Sequence, residues 1–77
     1  MTAYTFSAEE MQELRLLNRL HPHPVIRHRA LIMILKSQDM AHNKIAEVLA
    51  ISKNTVTRYV KRYVEQGIEG LKKNKFL

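Results

Sequence analysis

The 77-residue chain has no cysteine and no tryptophan, and it carries only two glycines and two prolines. Without cysteine there is no disulfide staple and no thiolate zinc site. So little glycine and proline, with no low-complexity segment, is the composition of a folded chain rather than a disordered one. No apolar run reaches the roughly 18 residues of a membrane span, and no membrane partner is expected. The start lacks the charged, apolar and small-residue regions of a secretory signal, so the expected location is the cytoplasm. Acidic residues are also sparse: seven Asp and Glu face thirteen Lys and Arg, a net charge of +6.

What remains is 45% hydrophobic residues and a basic surplus. A chain this short buries only roughly 60% of its unfolded surface, which allows one core. The surplus is uneven. From Lys44 onward eight basic residues meet three acidic ones, whereas the first 43 residues carry five and four. The half suited to a polyanion is therefore the C-terminal one.

Helical periodicity runs through most of the chain. Ser7-Ala-Glu-Glu10 fits a capping box, with Phe6 and Met11 placed for a hydrophobic staple. Met11, Leu14, Leu17 and Leu20 then form an apolar stripe. His21-Pro22-His23-Pro24 ends that helix, and Pro24 suits the first turn of the next. Val25, Ile26 and Ala30 to Leu35 are apolar nearly all round, which marks the most buried element. After a connection at residues 37–40, a third helix is expected over about 42–50, with Ile45, Ala46, Val48 and Leu49 inward. Ser52 caps a fourth helix, in which Val56, Tyr59, Val60, Tyr63 and Val64 recur at helical spacing, and Gly67 supplies a left-handed C-terminal cap. The expected fold is all-α, with about four helices in a domain over residues 1–67 and a basic tail or linker over 68–77.

Residues 42–66 have the layout of a helix-turn-helix, whose second helix lies in a DNA major groove. Ala46 is small where the two helices must cross, and Ile45, Leu49, Ile51, Val56 and Tyr59 give the apolar seam. The sharp turn falls at Ala50, where a positive φ costs an alanine about 1 kcal/mol or more. The outward face of the second helix carries Lys53, Asn54, Thr57, Arg58, Lys61 and Arg62. Lys53, Asn54 and Thr57 are placed for base edges, Arg58 for a base or the backbone, and Lys61 and Arg62 for phosphates. Ser52 and Thr55 hydroxyls with the free N–H groups of the helix start offer a phosphate site, and His42, Asn43 and Lys44 face the opposing backbone. The expected partner is double-stranded DNA, which would place the bound protein at the nucleoid.

Competing readings of single residues are plainer. His21 and His23 lack a nearby carboxylate and read as loop residues rather than metal ligands. His28 reads as a partly buried structural residue. Tyr59 and Tyr63 lie on the apolar stripe, core rather than base-stacking, and the four methionines read as core filling. No nucleophile–base pair or carboxylate cluster is present, and no cofactor or metal is expected.

Nearly the whole chain resembles the N-terminal DNA-binding region of insertion-sequence transposases of the Tc/mariner-related group. The resemblance rests on Ser7-Ala-Glu-Glu10, Arg27-His-Arg-Ala30-Leu-Ile, Ile45-Ala-Glu-Val-Leu, Ile51-Ser-Lys-Asn-Thr-Val56-Thr-Arg-Tyr59 and Gly67-Ile-Glu-Gly70-Leu. It implies a homeodomain-like fold that binds the terminal inverted repeats of a mobile element, with Ser52 to Thr55, Thr57 and Arg58 in contact with the repeat. Ala50 and Asp39 depart from the glycines usual at their places, and Ala41 from the usual Ser or Thr cap. The resemblance also implies a catalytic domain with three carboxylates and two metal ions. This chain has a single aspartate, Asp39, so it is expected to be a recognition domain or a separate short reading frame and not itself the enzyme. Two other functions fit the same residues. One is a dimeric repressor or antitoxin-like DNA binder, paired through the first helix, and the other is a helical protein-interaction domain.

Overall fold

In the computed structural model, which describes residues 4–72, the capping box at Ser7 opens the first helix, α1 (Ala8–Leu20). The Ser7 hydroxyl accepts from the Glu10 N–H at 3.1 Å, and the Glu10 carboxylate accepts from the Ser7 N–H at 2.9 Å. Two first-turn donors are thereby satisfied. Pro24 opens the second helix, α2 (Pro24–Ser37). The two histidines before it act as caps: His21 Nδ1 accepts from the His23 N–H, and His23 Nδ1 accepts from the Val25 N–H.

Three further helices follow: α3 (His42–Leu49), α4 (Lys53–Gln66) and a short α5 (Ile68–Lys72). Among the described residues there is no strand, and the fold is all-α. Ala41 leaves α3 without a side-chain cap, whereas the Ser52 hydroxyl accepts from the Thr55 N–H at the start of α4. Asp39 and Ala50 both adopt positive φ, which explains why glycine suits those places.

The core draws on every helix: Leu14 from α1, Ile26, Ala30, Ile32 and Met33 from α2, Ile45 and Ala46 from α3, Val56, Val60 and Tyr63 from α4, and Leu71 from α5. As its composition predicts, α2 contributes the most buried residues. Met11 and Met40 are half-buried against this core; Met1 lies outside the described residues.

Five expectations need correction. Val48 is 54% exposed, because Ile45, Ala46 and Leu49 define the inward arc of α3 and Val48 falls off it. Val64 (50%) and Leu20 (68%) likewise sit at the edges of their stripes. Gly67 has positive φ but an extended ψ of −158°, a region open essentially to glycine alone, so it redirects the chain rather than closing a left-handed cap. Residues 68–72 are not a tail. They form α5, which packs on α2 and α4, so the helical unit extends through Lys72; the basic residues beyond it lie outside the described residues.

Candidate nucleic-acid interface

α3 and α4 are joined by a turn that the backbone closes by itself. The Ala50 N–H donates to Glu47 O at 3.3 Å and the Ile51 N–H to Ala46 O at 3.0 Å. That pair of bonds, with Ala50 left-handed at φ 57°, is a Schellman ending built on alanine. Ala46 is buried at the crossing, and Val56 and Val60 pack beneath it in the shared core.

Burying Val56, Val60 and Tyr63 fixes which side of α4 faces outward. Asn54, Thr57, Arg58 and Lys61 recur at helical spacing on the opposite side, and all four are exposed, with Lys53 beside them. The expected cluster is therefore brought together on one face, with two qualifications. Thr55 is half-buried, and its hydroxyl bonds the Ser52 hydroxyl at 2.8 Å while Ser52 also accepts from the Thr55 N–H, so these groups cap the helix. Arg62 is half-buried as well, and its stem packs against Gly70: a Cβ there would lie 3.1 Å from Arg62 Cγ.

At the start of α3, Asn43 and Lys44 are exposed. Lys44 pairs with Glu47 at 3.2 Å, but both side chains are mostly in solvent, where such a pair contributes little and yields readily to a phosphate. His42 is half-buried and joins the two helices, its Nδ1 3.0 Å from Thr57 Oγ1. Burial, and then the charges of Lys36 and Lys53, hold its imidazole below the usual histidine range. Lys36, on α2, thus adds to the positive field of the face, a contribution that a linear reading of residues 42–66 does not include.

Arg29 is a charged residue of the interior. It is 1% exposed, its guanidinium lies 4.9 Å from the Tyr59 ring centroid, and it donates to Leu71 O at 3.0 Å. It therefore ties α2 to both α4 and α5 beneath the outward face. Tyr59 and Tyr63 are turned to the interior and do not stack outward. Among the described residues no group of three or more His, Cys, Asp or Glu is placed to hold a metal ion.

A family model described as a homeodomain-like domain matches residues 23–72, from the cap of α2 to the end of α5. The chain belongs to the homeodomain-like family. No curated protein and no solved structure matches it significantly. The homeodomain-like match covers the whole helix-turn-helix and α5, so the last short helix is part of the domain and α1 stands in front of it. The fold is thus that of a helix-turn-helix of the DNA-binding type, with α4 in the place of the second helix. No described helix is long and apolar enough to cross a membrane.

Proposed function

We propose that this domain recognises the terminal inverted repeats of a mobile element on behalf of a transposase, and contributes recognition rather than strand chemistry. The observation that carries DNA reading is the exposed set Asn54, Thr57, Arg58 and Lys61 on one rigidly backed face of α4. The step to a transposase is supported by the resemblance through residues 51–59 and by the Gly67-to-Leu71 stretch. Lys53, Asn54 and Thr57 read base edges, Arg58 reads a guanine or a phosphate, and Lys61 holds a phosphate. His42, Asn43 and Lys44 meet the opposite backbone, with Ser52 and Thr55 positioning the start of α4.

Selection of duplexes from a random pool, followed by comparison with inverted-repeat ends, tests this directly. The expected outcome is one enriched sequence, with Arg58→Ala weakening binding to it by about 1–3 kcal/mol. Neutralising about four phosphates should lower affinity by roughly a hundredfold between 50 and 200 mM salt. Equal affinity for all duplexes contradicts sequence reading, and no binding at low salt favours a protein-interaction domain instead.

A dimeric repressor is the second reading, and Leu16 and Leu20, exposed one turn apart on α1, favour it. The main apolar stripe of α1 is used internally, by Leu14 with Met11 and Leu17, so only this outer pair is available for pairing. A stable dimer in sedimentation, together with a palindromic selected site, would support the repressor.

A further inference from the structure

One hydrogen bond crosses the helix-turn-helix from helix to helix within the outward face. His42 is the first residue of α3 and Thr57 stands on the exposed side of α4, with Nδ1 and Oγ1 3.0 Å apart. A hydroxyl has one hydrogen and two lone pairs, so what Thr57 shows to a ligand depends on what His42 takes from it. A neutral imidazole protonated on Nε2 accepts the hydroxyl hydrogen, and Thr57 then presents only lone pairs outward. An imidazolium has N–H on both nitrogens, so Nδ1 donates and the Thr57 hydrogen is released toward an outside acceptor.

Double-stranded DNA offers acceptors at that distance from a groove-bound helix: phosphate oxygens, purine N7, guanine O6 and thymine O4. The surroundings of His42 decide which state is held. It is half-buried, and the charged groups acting on it are Lys36 from α2 and Lys53 from α4, both of which oppose an imidazolium in the free protein. Phosphates attracted to the same two lysines reverse that field, because a nearby anion favours the charged imidazole. We propose that His42 is a positioning residue for Thr57, and that docking on double-stranded DNA loads a proton onto this imidazole and turns the Thr57 hydroxyl into a donor toward the duplex. The proton comes from solvent, and no bond other than hydrogen bonds changes. This inference rests on the DNA reading proposed above.

The test is the affinity of the whole chain for a duplex enriched from a random pool, measured at constant salt from about pH 5.5 to about pH 8.5, across the ordinary histidine range. Affinity should rise as pH falls, with a slope of up to about tenfold per pH unit for one linked proton. His42→Gln keeps a hydrogen-bonding side chain but cannot titrate, and it should flatten that slope whatever its absolute affinity. A second readout does not depend on the variant: the NMR titration midpoint of the His42 ring protons should move upward when the duplex is bound. Binding that is independent of pH, an equal slope in His42→Gln, or a midpoint unmoved by DNA each overturns the proposal. Absence of any complex at low salt overturns the DNA reading itself, which separates the two failures.

Discussion

Glu10 holds three donors with one carboxylate: the Ser7 N–H, the Tyr4 hydroxyl at 2.5 Å and the Tyr63 hydroxyl at 2.6 Å. Tyr4, Phe6 and Tyr63 gather around it with ring centroids 4.9 to 5.7 Å apart. The Tyr4 bond first, then those from Tyr63 and Ser7, lower the Glu10 carboxyl to about 2. Because the folded value lies below the unfolded one, the contribution to stability is complete above about pH 4.5 and is lost as pH falls toward 2. Thermal unfolding across that window should show a smaller acid-induced loss in Glu10→Gln than in the parent chain. Burial, and then the bond to Glu10, push the Tyr63 hydroxyl well up, so this end of α4 keeps its proton through ordinary pH. Ala50 is a site of opposite character, where a left-handed alanine closes a glycine-type turn. Ala50→Gly should raise stability by up to about 1 kcal/mol in denaturant unfolding, since relief of the backbone penalty is partly offset by unfolded-state entropy.

At the scale of the helix, the start signals were the most legible features. The capping box at Ser7, the proline at the head of α2 and the serine cap of α4 are each local patterns, and each helix begins where its pattern places it. Side-chain direction was less legible at the stripe edges, since Val48 and Val64 satisfy helical spacing yet face solvent for want of a neighbouring element. The short α5 was hidden for another reason: five residues with one glycine and a lysine carry no helical signal of their own. It exists because Leu71 enters the core and because Gly70 lets α5 approach α4 closely. A Cβ on Gly70 would lie 2.9 Å from Gln66 Cβ and 3.2 Å from Arg62 O. Gly70→Ala should therefore destabilise the domain by about 1–3 kcal/mol in chemical unfolding, despite the better helix propensity of alanine. An unchanged unfolding midpoint would show that α5 can shift away without cost.

Across the whole molecule, the outward face of α4 is held from below by groups distant in sequence. Arg29 reads as a surface residue by type, yet it is buried because Tyr59 and a carbonyl 42 residues away receive its guanidinium. Such a placement depends on tertiary contacts and leaves no mark in periodicity. The exposed face of α4 was legible, because amphipathic spacing puts Asn54, Thr57, Arg58 and Lys61 opposite the core without help from the rest of the fold. Thr55 and Arg62 were harder, since capping and the approach of α5 partly withdraw them. Whether this face meets DNA is tested by amide chemical-shift mapping during titration with a selected duplex. The largest changes are expected on residues 42–44 and 52–61, with α1 nearly silent. Changes concentrated on α1, or none at all at low salt, would contradict DNA binding by this face.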